Sequence, residues 1–86
     1  MYYVYIVQCR DESLYTGITT DTKRRVHEHN TSKKAAQYTK SRRPVTLVFA
    51  KKCSTRSVAQ KYEYRIKNLT REEKMILIAK KRISAV

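Results

Sequence analysis

Residues Tyr2 to Cys9 alternate aromatic with β-branched side chains, and Leu14 to Thr19 repeat the pattern after the polar cluster Arg10-Asp11-Glu12-Ser13. Two such runs around a short polar turn predict a β-hairpin. Pairing residue 7 with residue 15 sets Tyr5 opposite Gly17, the only glycine of the chain. Side chains alternate between the faces of a sheet, so Tyr3, Tyr5 and Val7 then share a face with Tyr15 and Gly17, and Val4 and Ile6 share the other with Leu14 and Ile18. Tyr5 and Tyr15 stand diagonal to one another, roughly 7 to 8 Å apart at the backbone, and Gly17 leaves space beside them.

Beyond the hairpin the hydrophobic period changes. Thr20-Asp21 predicts an N-cap for a helix running through about Asn30, with Asp21 at the positive end of the dipole. Val26 is almost the only apolar residue in that span, so the inward face of the helix must include polar groups. Arg25 and His29 are spaced to share a face, while Arg24 is placed to pair with Glu28. Val45 to Ala50 predicts a third strand. Ser54 or Thr55 then caps a helix whose Val58, Ala59, Tyr62, Ile66 and Leu69 fall at helical spacing. Thr70-x-x-Glu73 is a capping box that starts a last helix through Met75, Leu77 and Ile78.

The chain has 86 residues, which predicts one small domain over 1–86 with a single compact core. Charge changes the picture more. Lysine and arginine number 20 against 7 acids, for a formal charge of +13. Solubility needs only about 2 to 8, so the surplus implies a polyanionic partner, nucleic acid ahead of a membrane surface. Much of it lies between Thr31 and Pro44, where Lys33, Lys34, Lys40, Arg42 and Arg43 surround Tyr38. No run approaches the 18 or so apolar residues of a membrane span, and Tyr2 to Val7 is too short for a signal peptide, which predicts an intracellular protein. Cys9 and Cys53 match neither a zinc pattern nor a disulfide framework and read as free thiols.

Among the acids, Asp11 and Glu12 belong to the turn, Asp21 to a helix start, Glu28 to a surface pair, and Glu72 and Glu73 to the first turn of the last helix. Glu63 remains, at the border of its helix's apolar face. It is placed either to enter a cleft or to pair with Lys67 at i, i+4. One carboxylate excludes the usual two-metal arrangement; it suffices for a single magnesium ion that keeps most of its waters. Tyr5 and Tyr15 suit strands as core aromatics as well as they suit chemistry. Yet a helix almost without apolar residues has no reason to pack on a tyrosine-rich face unless its polar groups serve a purpose there.

These residues resemble the GIY-YIG nucleases, in their small stand-alone branch, and also the nuclease half of structure-selective eukaryotic endonucleases. Tyr3-Val4-Tyr5 stands for the first signature, with Tyr3 in place of its glycine, and Tyr15-Thr16-Gly17 for the second, with Thr16 in place of an aliphatic residue. Arg25 and His29 follow at the family's spacing, and Glu63 matches its metal-binding glutamate. The resemblance covers residues 2 to about 80. It implies an α/β fold, a three-stranded antiparallel sheet with the first strand central and helices flanking it, so Cys9 and Cys53 would lie at opposite ends of the sheet.

The resemblance also implies metal-dependent hydrolysis of DNA phosphodiesters, in a structure-directed role in repair or recombination, with RNA left open. Tyr5 would act as general base, His29 as acceptor or relay of its proton, Arg25 as the phosphate fork, Tyr15 as a positioning group and Glu63 as holder of one magnesium or manganese ion. Arg25 and the ion would have to lower the phenol pKa, ordinarily about 10. Lys33, Lys34, Tyr38, Lys40, Arg42 and Arg43 are the candidate nucleic-acid contacts. The alternative is a basic module that grips nucleic acid without cutting it, as part of a larger assembly.

Overall fold

The computed structural model describes residues 1–84, with side chains described through residue 80. Its strands are β1 (Tyr2–Gln8), β2 (Leu14–Thr19) and β3 (Thr46–Cys53), and its helices are α1 (Thr22–Thr31), α2 (Gln37–Lys40), α3 (Arg56–Lys67) and α4 (Arg71–Ser84). The strands form one sheet in the order β2-β1-β3, antiparallel throughout. Tyr5 pairs with Gly17 and Val7 with Tyr15, the register the alternation predicts.

β1 is central and buried on both faces, so each face has its own core. Val4 and Ile6 pack with Phe49, Cys53, Ala59, Ile66 and Ile78 beneath α3 and α4. Tyr5 and Val7 pack with Cys9, Val45, Tyr15 and Val26 on the side of α1. Cys9 and Cys53 are both buried free thiols. Cys53 pairs with Tyr2 at one end of β1, whereas Cys9 follows the other end.

Helix boundaries follow the predicted caps. Asp21 accepts from the Arg24 amide at 3.1 Å, and Thr55 accepts from the Val58 amide at 3.2 Å. The capping box is reciprocal: Glu73 Oε1 accepts from the Thr70 amide at 2.8 Å, and Thr70 Oγ1 from the Glu73 amide at 3.1 Å. β3 runs on to Cys53 instead of ending at Ala50. It is an edge strand, where lysine is tolerated because its charged head reaches water, so Lys51-Lys52 does not end it. Val48 is the extra residue of a bulge, since Ile6 pairs with Phe49 and Val7 with Leu47. The basic stretch hides α2, a single helical turn.

The side chain of Asn30 fastens α1 to the start of β3. Its Oδ1 accepts from the Val45 amide at 2.7 Å and its Nδ2 donates to the Val45 carbonyl at 3.1 Å, reproducing the two bonds a neighbouring strand would supply. Arg43 completes the joint, donating Nε to the His29 carbonyl and Nη2 to the Ser32 carbonyl at 2.6 Å. Cations are favoured at a helix C-terminus, where carbonyls lack partners. Asn30→Ala leaves both Val45 groups unpaired, and we expect it to lower stability by about 1–3 kcal/mol. Urea unfolding measures this, and a loss below about 0.5 kcal/mol would show that the joint does not hold α1 in place.

Candidate active site

Tyr5 reaches across its sheet face to α1. Its hydroxyl lies 2.8 Å from His29 Nε2, and neither side chain is accessible to water beyond 1%. Gly17 makes room for the ring: a Cβ at residue 17 would stand 2.6 Å from the Tyr5 hydroxyl oxygen and 2.8 Å from Cζ. The residue is glycine because an aromatic side chain passes over it, with no backbone demand involved. His29 is also the buried residue of α1, which explains a helix with so little apolar surface. Its inward face ends in an imidazole that a phenol satisfies.

The second ring nitrogen is held too. His29 Nδ1 lies 2.8 Å from Thr39 Oγ1, and that hydroxyl donates to the Ala36 carbonyl at 3.0 Å. A threonine hydroxyl has one proton to give. With that proton on Ala36, Thr39 accepts from Nδ1–H, and Nε2 is left bare to accept from Tyr5 O–H. The chain Tyr5–His29–Thr39–Ala36 therefore runs one way, with an unprotonated nitrogen aimed at the phenol. Burial and the nearby Arg25 and Arg43 charges hold the imidazole down at about 4, so it is neutral at pH 7. Burial pushes the Tyr5 phenol up to about 12, with Arg25 pulling the other way. The cationic help expected of Arg25 is present, but desolvation outweighs it.

Arg25 Nη1 donates to Glu28 Oε1 at 3.1 Å and to the Lys34 carbonyl at 2.9 Å. Glu28 also faces Arg24, at 3.9 Å, so it serves both arginines instead of Arg24 alone. Tyr15 closes the group, its ring 5.4 Å from His29 edge-on and 6.5 Å from Tyr5. Glu63, on α3, is half-buried; it pairs with Lys67 at 3.5 Å and acts on Tyr5 through its charge, favouring the protonated phenol. Of the two placements foreseen for Glu63, the pair with Lys67 is formed. Among the described residues no three histidine, cysteine or acidic side chains gather as a metal cluster. A lone carboxylate fits an ion that keeps its waters and takes its remaining ligands from phosphate; it does not fit a zinc or calcium cage.

Lys33, Lys34 and Lys40 are exposed. Arg42 is tied internally, to Asp11 at 3.2 Å and to the Tyr38 carbonyl at 2.8 Å, with its guanidinium 3.9 Å from the Tyr38 ring centre. Tyr38 in turn stacks on Tyr15 at 6.1 Å. Thr39 is the residue the sequence pattern missed. It lies in a one-turn helix within a run dominated by lysine and arginine, where hydrophobic periodicity carries no signal.

Residues 1–76 match the GIY-YIG catalytic domain family. The chain belongs to this family. It is 53% identical to the UPF0213 protein of Desulfotalea psychrophila, over 99% of this chain and 79% of that one. It is 55% identical to the UPF0213 protein of Haloquadratum walsbyi, over 88% of this chain and 84% of that one. Two solution NMR structures are similar. The UPF0213 protein of Bacillus halodurans has a TM-score of 0.59 at 42% identity, covering 92% of this chain and 84% of that one. A protein of E. faecalis has a TM-score of 0.64 at 38% identity, covering 95% and 86%. Membership in the GIY-YIG family brings nuclease chemistry in general, nucleic acid as the substrate class and a divalent metal as the family's usual cofactor. No helix among the described residues is long and apolar enough to cross a membrane.

The depressed His29 pKa has a consequence for stability. Above pH 6.5, the ordinary value, the imidazole is neutral both folded and unfolded, and its contribution is complete. As pH falls below 6.5 the unfolded chain takes up the proton first, so stability is lost progressively down to about pH 4. Unfolding of the wild type and of His29→Gln should differ most above pH 6.5 and converge towards pH 4. A gap independent of pH would contradict a buried neutral imidazole.

Proposed function

We propose that this chain is a metal-dependent endonuclease that hydrolyses DNA phosphodiesters, with cuts directed by DNA structure in repair or recombination. The observation that carries the reading is the one-way hydrogen-bond chain from Tyr5 through His29 to Thr39, lying beside Arg25. A hydrolase needs a base for water, and a neutral phenol at about 12 is a poor one by itself. Coupled to a bare imidazole nitrogen it becomes serviceable. Tyr5 takes the proton of the attacking water as its own proton passes to His29 Nε2, so a free phenolate need not accumulate. Thr39 holds the imidazole in the accepting tautomer.

Water oxygen then bonds to phosphorus and the bond to the leaving oxygen breaks. Arg25 offers a planar fork to the phosphate and stabilises the charge that grows on it. Its present partner Glu28 keeps the guanidinium in place without neutralising it fully, since Glu28 is shared with Arg24. Tyr15 borders the same space and positions the phosphate. Glu63 is the residue to hold magnesium or manganese, which when bound supplies Lewis-acid stabilisation of the leaving oxygen. The exposed Lys33, Lys34 and Lys40 add to the footprint on the nucleic-acid backbone, with Tyr38, Arg42 and Arg43 beside them.

The test uses branched, nicked and linear DNA with and without magnesium, read as cleavage and affinity on the same preparation. Arg25→Ala should lose cleavage while affinity falls only slightly, one cation of many having gone. Glu63→Gln should lose cleavage with affinity kept or raised, because a negative charge near phosphate is removed. Undiminished cutting by either variant would overturn the site. A wild type that binds every DNA yet cuts none would favour a binding module instead.

A further inference from the structure

The acids and bases around Tyr5 account for one phosphate, and a cleft beside them remains. It holds about 310 Å³ between the N-terminal turn of α1, the end of β2 and the first residue of α3. Arg24, Arg25 and Arg56 line it, with Glu28 as the sole acid. Glu28 is spoken for: Arg25 stands 3.1 Å and Arg24 3.9 Å from its oxygens. Arg24 also donates to Thr20 Oγ1 at 3.2 Å, which turns its guanidinium along the wall. Arg56 brings a third cation and no acid accompanies it. Three like charges facing one carboxylate repel, and a cleft with low-dielectric walls concentrates their field.

We propose that Arg24 and Arg56 form a second phosphate subsite, which receives the backbone phosphate next to the scissile one and so fixes the path of the cut strand. This deepens the nuclease reading above and rests on it. The cleft meets the Tyr5 group at Arg25, which lines the cleft and acts on the Tyr5 phenol. A polynucleotide whose scissile phosphate meets Arg25 must place its neighbouring phosphate within one nucleotide of it, and the cleft is the adjoining space where positive charge exceeds negative. Arginine suits the task because its fork matches two phosphate oxygens. The contact lies on α3 and α1, on different elements from the lysines of the 31–44 stretch. The bound strand therefore crosses the sheet edge between the two helices. Arg56 is exposed at the first position of α3, so its removal is not expected to disturb packing.

The probe is a fluorescein-labelled branched DNA, titrated in EDTA so that nothing is cut. Arg56→Ala should weaken binding about fivefold to tenfold and lower the log–log salt slope by about one, the counterion share of a single phosphate contact. Arg56→Lys should restore the slope. On wild-type protein with magnesium, a substrate carrying one uncharged methylphosphonate next to the cut position should lose what Arg56→Ala loses, and the two changes together should cost no more than either. Binding by Arg56→Ala within twofold of wild type, with the slope unchanged, would overturn the subsite alone, as would full additivity with the methylphosphonate at every position. Wild-type protein that binds no DNA would overturn the nuclease reading, and the subsite with it.

Discussion

The hydrogen bond between the Tyr5 hydroxyl and His29 Nε2 is the constraint around which the rest of the molecule is arranged. It joins the central strand to a helix that has almost no apolar residue to offer, with His29 fully buried and Tyr5 left 1% exposed. A buried polar group left unpaired costs about 1–3 kcal/mol, so each partner in this pair obliges the other. The obligation spreads outward. Gly17 has no side chain because the Tyr5 ring passes over it. Thr39 must satisfy the far imidazole nitrogen, which brings α2 against α1. Asn30 and Arg43 fix the end of α1 so that His29 stays under the sheet. Among the described residues no buried side-chain polar atom is without a partner, the condition under which such a network rigidifies a site instead of weakening it.

The same burial separates the roles of the two titrating groups. Desolvation raises the phenol and lowers the imidazole, in each case favouring the neutral form. At rest the pair is uncharged. The arginines are meanwhile less available than a count of twenty basic residues suggests. Arg43 caps a helix, Arg42 leans on Tyr38 and Asp11, and Arg25 is held by Glu28 and the Lys34 carbonyl. Position, more than total charge, separates the cations that hold the fold together from the exposed Lys33, Lys34 and Lys40.

Much of this was legible in the residue pattern. The hairpin register followed from alternation and a single glycine, and Thr55 and the Thr70–Glu73 box marked their helix starts because capping chemistry is local. The shared face of Arg25 and His29 followed from helical geometry. What the pattern could not give depends on contacts between distant segments. The Tyr5–His29 bond spans 24 residues and the Asn30–Val45 joint 15, and neither leaves a periodic trace. The lysines at the end of β3 suggest a loop to any local reading, although an edge strand accommodates them. Thr39 had no signal at all, since a single turn has no period and its role lies in a tautomer. For the same reason the fate of Arg43 was hidden: a helix cap supplied from 14 residues away looks, in sequence, like one more basic residue.

The central claim is that His29 is held neutral, protonated on Nδ1 by its bond to Thr39, with Nε2 bare towards Tyr5. Long-range proton–nitrogen correlation NMR on uniformly labelled protein reports the protonation of each ring nitrogen directly. At pH 7 the account predicts a His29 Nδ1 shift of the protonated type and an Nε2 shift of the unprotonated type, with titration only near pH 4. Replacing Thr39 by valine should abolish this preference. A proton on Nε2 at pH 7, or an imidazolium there, would contradict the account.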